Sequence, residues 1–286
     1  MPLVPVGQTR LYVEERGSGF PVVVLHGGPG LDHTMFGTHL DALADDYRLL
    51  LVDEREQGRS DRGTDPSTWV LEQHAADVTA LAASLGLERY AVLGHSYGAF
   101  IALEHAAAFP GAAAATVASS GIPSMRFAEG IAEGLDRFEP AELREQVRSS
   151  WEREATVQTE QECRELMRDQ WPWHFKDPRD PRIAELAMTD MVFSPAVLRA
   201  TSLEGGGLAI EVEGRLPQVP QPLLAITGRA DRTCPAAASE TIARLAPRGE
   251  VVVLDDAGHM TFIEQNEAYV AAVRDFLDRA TGGRVR

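Results

Sequence analysis

The segment Gly94-His95-Ser96-Tyr97-Gly98 sets a serine between two glycines, directly after the apolar run Tyr90 to His95 and before a helical pattern beginning at Ala99. A serine at a strand-to-helix turn is held in a strained conformation that projects its hydroxyl, and glycines are needed where side chains would collide. The chemistry on offer is nucleophilic attack. A serine hydroxyl is a weak nucleophile at its own pKa, so it requires a base in hydrogen-bond reach and a carboxylate that fixes the base's tautomer. His259 follows the run Glu250 to Leu254, and Asp231 follows Pro222 to Thr227. Three strand ends thus carry serine, acid and histidine in that order. Asp255 and Asp256 lie nearer His259 along the chain but read as turn formers. Ser96 is therefore the candidate nucleophile, His259 the candidate general base and Asp231 the candidate orienting acid.

The negative charge that develops in acyl transfer must meet preorganised backbone donors. His26-Gly27-Gly28-Pro29-Gly30 follows the strand-like run Pro21 to His26, and its glycines let amides approach a reacting carbonyl. Gly28 and the amide of Tyr97 form the expected oxyanion pair. No Gly-Lys-Ser/Thr ending follows the turn, so it is not read as a phosphate cradle. Among the other histidines, His95 should point away from the nucleophile, His26 and His33 read as structural hydrogen-bonding groups, and His74, His105 and His174 have no partners at metal-ligand spacing.

These groups need a scaffold of strand ends. Runs at Pro21 to His26, Tyr47 to Asp53, Tyr90 to His95, Ala114 to Ser119, Pro222 to Thr227 and Glu250 to Leu254 read as strands buried on both faces. Helical periodicity at Trp69 to Leu85, Pro235 to Leu245 and Glu264 to Ala280 alternates with them, so the fold class is α/β with a doubly wound, mostly parallel sheet. Between Gly121 and about Val219 the strand signal gives way to charged amphipathic stretches bearing Trp151, Trp171, Trp173, Phe175 and Phe193. The expected division is a core domain of residues 1–121 and 220–286 and a helical cap of residues 122–219 over the sheet's C-terminal edge.

With 44% hydrophobic residues in 286, the chain can build a sizeable core. A formal net charge of −16 argues against nucleic acid or an anionic membrane as partner. Cys163 and Cys234 lie far apart and form no metal spacing, and no basic leader or run of about 18 apolar residues is present, so a soluble, cytoplasmic protein is expected. Oligomeric state has no signature in the sequence.

HGGPG at His26 to Gly30, the segment Asp53 to Ser60, GHSYG at Gly94 to Gly98, and the Asp231 and His259 loops together resemble the proline iminopeptidase-related branch of the α/β-hydrolases, over most of the chain. The resemblance implies the α/β-hydrolase fold with an inserted helical cap, no metal or organic cofactor, and hydrolysis of a small-molecule or short-peptide substrate. It implies an aminopeptidase that releases an N-terminal proline, with an ester or lactone as alternative scissile bond. Cap glutamates hold the substrate amine in those peptidases, and Glu204, Glu211 and Glu213 lie in the corresponding region. Gly27, Glu204, Trp151 and Trp173 are the candidate substrate contacts. Glu56 stands where that branch usually has glycine, Ala230 where its aminopeptidases often have tyrosine, and no Asn-Glu-Phe segment is evident in the cap. A reading of a different class is a small-ligand receptor that retains the triad.

Overall fold

The computed structural model describes residues 3–202 and 208–282. Glu204 lies outside the described residues.

An eight-stranded sheet organises the chain. Its strands are β1 (Leu3–Val6), β2 (Thr9–Arg16), β3 (Phe20–Leu25), β4 (Tyr47–Val52), β5 (Ala91–His95), β6 (Ala115–Ser119), β7 (Leu223–Gly228) and β8 (Gly249–Leu254), in the order β1-β2-β4-β3-β5-β6-β7-β8. From β3 onward all pairings are parallel, whereas β1 and β2 join antiparallel at one edge. Central strands β3, β5 and β6 carry apolar side chains on both faces, since helices cover both sides. The sequence reading missed β1 and β2. The β2 segment TRLYVEER alternates buried Thr9, Leu11 and Val13 with more exposed neighbours, the period-2 pattern of a strand with one more exposed face.

Helices α1 (Leu71–Ser84) and α2 (Tyr97–Ala108) pack together on one face, joined farther along the chain by α8 (Ala236–Leu245). Short α9 (Thr261–Glu264) and long α10 (Asn266–Thr281) close the chain, with Phe276 and Leu277 in the core on the opposite face. Between β6 and β7 lie α3 (Ile131–Asp136), α4 (Ala141–Arg153), α5 (Glu160–His174), α6 (Arg182–Ala187) and α7 (Pro195–Thr201). Helix α5 starts at a full capping box between Thr159 and Glu162. Trp173 seals the small apolar cluster of Ile131, Leu135, Phe138 and Val147 where α5 meets α3 and α4. Among the described residues no helix is long and apolar enough to cross a membrane.

Candidate active site

Ser96 stands between the end of β5 and the first turn of α2 with φ 52° and ψ −114°, a region that L-residues rarely occupy. The flanking glycines explain how that turn closes. A Cβ on Gly94 would overlap the Gly98 carbonyl, and one on Gly98 the carbonyls of Leu25 and His26. The amide of Ser96 donates to Ser119 O (2.8 Å), and its carbonyl accepts from Ala99 and Phe100 (2.9 and 3.1 Å). The strained residue is thereby pinned at both backbone ends.

Asp231 and His259 sit beyond β7 and β8. Backbone amides of Thr233 (2.9 Å) and Cys234 (2.8 Å) donate to Asp231 Oδ1, while His259 Nδ1 lies 3.0 and 2.9 Å from the two carboxylate oxygens. A pair of acceptor oxygens requires the proton on Nδ1, which leaves the Nε2 lone pair for another proton. Asp255 and Asp256 are exposed and pair instead with Arg229 (3.2 Å) and Lys176 (2.5 Å). Ser96 and His259 line one cavity, although no hydrogen bond joins Ser96 Oγ to the imidazole; such links often tighten only in the substrate complex.

Two more imidazoles flank the His259 ring, His95 with its centroid at 5.0 Å and His174 at 5.1 Å. Burial drives both far below the ordinary histidine pKa, and a charge on His259 would push the same way, so both are neutral. The hydrogen bonds assign the His174 tautomer. Gln170 Nε2 is committed to Glu154 Oε1 (2.7 Å), which leaves Gln170 Oε1 as an acceptor for His174 Nε2–H (3.5 Å). His174 Nδ1 then accepts from the Thr233 hydroxyl (3.3 Å), whose oxygen also accepts from Trp173 Nε1 (3.0 Å).

Gly28, at φ 127°, and Tyr97, the first residue of α2, present amides without a hydrogen-bond acceptor among the described residues. The Gly27 amide is engaged by Met35 Sδ (3.0 Å). Beneath the turn His26 Nδ1 donates to Gly27 O (2.7 Å), while Glu54 accepts from the His26 amide (2.9 Å) and pairs with Nε2 of its ring. Burial opposes a charge on His26, but the Glu54 carboxylate outweighs it and raises the imidazole to about 9. The neighbouring Asp32, His33 and Asp53 come close enough together to suggest a metal, yet Arg59 takes Asp32 Oδ2 (2.6 Å) and His33 Nδ1 takes Asp53 Oδ1 (2.5 Å). That cluster reads as a closed brace under the turn.

The cavity encloses about 880 Å³, its open mouth included. Gly27, Gly28, Ser96 and His259 line its floor, and the helices between β6 and β7 supply Trp151, Glu154, Gln170, Trp171 and His174. Trp173 corrects the sequence expectation: it is not on the wall but behind it, packed on Phe138 (5.6 Å between rings). Residues two apart on a helix diverge by about 200°, so Trp171 and Trp173 cannot face one cavity together. Glu211 is exposed and Glu213 pairs with Arg126 (2.8 Å), so the described acid on the wall is Glu154. Sequence reading overlooked Glu154 and Gln170, and set His174 aside as a histidine without metal partners. Their one signal is the i, i+4 spacing of Gln170 and His174 on α5.

The model for the α/β-hydrolase fold matches residues 21–265. The chain belongs to that family and is a hydrolase. It is 30% identical over 303 residues to a proline iminopeptidase of Xylella fastidiosa, covering 94% of this chain and 93% of that one. That likeness places it in the proline iminopeptidase-related branch. A pimeloyl-acyl-carrier-protein methyl ester esterase of Methylococcus capsulatus is 29% identical, over 93% of this chain and 98% of its own. Among solved structures, a proline iminopeptidase of Mycobacterium smegmatis superposes with a TM-score of 0.75 at 23% identity, over 97% of each chain.

Proposed function

We propose that the protein is a serine hydrolase working through Ser96, His259 and Asp231. The observation that carries this reading is the Asp231–His259 pair, which leaves Nε2 unprotonated on the cavity that Ser96 lines. His259 Nε2 takes the Ser96 proton as Oγ bonds to the substrate carbonyl carbon, and the oxyanion is met by the amides of Gly28 and Tyr97. The imidazolium returns the proton to the leaving group as its bond breaks. Water, deprotonated by the same nitrogen, then releases the acyl group and regenerates Ser96. The helices of residues 122–219 act as the cap that selects the substrate.

The finer reading is a proline iminopeptidase-like aminopeptidase. Its support is Glu154, a buried carboxylate facing a cavity otherwise walled largely by Trp151, Trp171, Met167 and other apolar groups. A buried ammonium needs a partnering carboxylate, and a proline ring suits the apolar remainder. A carboxylesterase is the second reading, favoured by the apolar majority of the same wall. Turnover of proline anilide, its N-acetylated form and short-chain p-nitrophenyl esters separates the two. An aminopeptidase loses the acetylated anilide, whereas equal turnover of free and blocked anilides sinks that assignment. Saturable binding of such compounds without turnover would instead point to the receptor.

A further inference from the structure

The end of α5 is built into the mounting of the acid and histidine loops. Arg232, the residue after Asp231, donates from Nη1 to the carbonyls of Trp173 (3.2 Å) and Phe175 (2.6 Å) and from Nη2 to that of Lys176 (3.2 Å). Carbonyls at the C-terminal end of a helix lack intrahelical donors, so a guanidinium there satisfies groups that otherwise need water. From the other loop, His259 N donates to His174 O (2.7 Å). Glu264 joins the same two segments, accepting from Gly258 N on Oε1 (2.8 Å) and from Lys176 N on Oε2 (2.7 Å). The fit is tight enough to require a glycine. A Cβ on Gly258 would come within 2.6 Å of Lys176 N and 2.9 Å of His174 O.

We propose that Arg232 and Glu264 are positioning residues for the general base: they clamp the cap segment Trp173 to Lys176 between the Asp231 and His259 loops and thereby hold the imidazole in place. The inference rests on the triad reading above. Arg232 belongs to the acid loop and Glu264 to α9 behind the histidine, yet both grip the same short cap segment, Arg232 through the carbonyls of Trp173, Phe175 and Lys176 and Glu264 through the amide of Lys176. Displacing that segment releases the His259 amide and the His174 ring that packs at a tilt against the imidazole. On this side the cap is therefore part of the catalytic frame.

Arg232→Met keeps the apolar stem and removes the donors, and Glu264→Gln removes one of two acceptors. Misplacing a catalytic group by an ångström costs up to roughly 100-fold in rate, so kcat is expected to fall about 10- to 100-fold while KM stays within about threefold. The rate at which a small fluorophosphonate labels Ser96 should fall in parallel, because that reaction needs the activated serine but few cap contacts. Arg232→Lys, able to reach fewer carbonyls, should recover part of both rates. A purely structural tie would lower the melting temperature and leave labelling of the folded protein at the native rate. That result in Arg232→Met and Glu264→Gln overturns the proposal; should Arg232→Met not fold, Arg232→Lys and Glu264→Gln decide it alike. Ser96→Ala serves as the parallel control, since its continued labelling would strike down the triad reading itself.

Discussion

The two halves of the candidate site are secured differently. On the nucleophile side, five consecutive residues contain nearly all that is needed, because the glycines on either side of Ser96 admit the carbonyls of the same turn and of β3. On the base side, Asp231 and His259 come from loops 28 residues apart and are joined to a cap helix end that neither loop's sequence announces. A compact motif can thus position a nucleophile from local backbone geometry. An acid–base pair depends on tertiary contacts at both ends.

The largest effect should come from the nucleophile side. Ser96→Ala is expected to lower kcat by about 10⁴- to 10⁶-fold, read as residual turnover alongside loss of fluorophosphonate labelling. Retained turnover would move the nucleophile elsewhere. Next comes the base side. Asp231→Asn keeps an oxygen for the Thr233 and Cys234 amides but turns its NH₂ toward His259, forcing the proton onto Nε2. A loss of about 10³- to 10⁴-fold at neutral pH is expected. A loss under tenfold would show that the carboxylate only packs, and that the base side is less dependent on its partner than the comparison holds.

Changes in the cap should be more selective. Glu154→Gln is expected to reduce kcat/KM for a free-amine anilide by about 10- to 100-fold and to leave short p-nitrophenyl esters within about threefold. Equal losses on both substrates would make Glu154 a strut for Gln170 and not a recognition group. The smallest effect concerns the ground beneath the nucleophile. His74 packs edge-on against Tyr97, 5.7 Å between centroids, and burial first, then the Arg55 and His26 charges, lowers it to about 3. Its folded pKa lies below the ordinary value near 6.5, so the folded state binds fewer protons than the unfolded one. Stability is full above about pH 6.5 and falls as pH drops toward 3. Thermal melts from pH 7 to 4 should show the decline, and His74→Leu should flatten it; an unchanged slope would assign the acid sensitivity to other groups such as His105, which burial lowers to about 4.

Much of the fold was legible. The six parallel strands are short apolar runs whose ends coincide with chemically telling residues, and β3, β5 and β7 begin and finish within a residue or two of the runs Pro21 to His26, Tyr90 to His95 and Pro222 to Thr227. The β1–β2 hairpin was missed because its alternating pattern is short and mixed with charges. Within the cap the sequence supplied candidates without a direction. Trp171 and Trp173 look equivalent in a string, yet one faces the cavity and the other closes a helix junction. Glu56 was noted only as a departure from glycine. The structure holds it at φ 62°, its carboxylate taking the amides of Gly63 (2.9 Å) and Thr64 (2.8 Å), so side-chain hydrogen bonds offset a conformation that glycine adopts freely.

By itself the sequence determined the alternation of strand and helix, the strained serine turn and the glycine-rich turn beside it, because each depends on residues within a few positions of one another. Only the tertiary structure decided that Glu154 is the acid on the described cavity wall and that Arg232 and Glu264 grip the end of α5. Those outcomes depend on how a helix is rotated about its axis and on which loops meet across the sheet edge, and packing settles both.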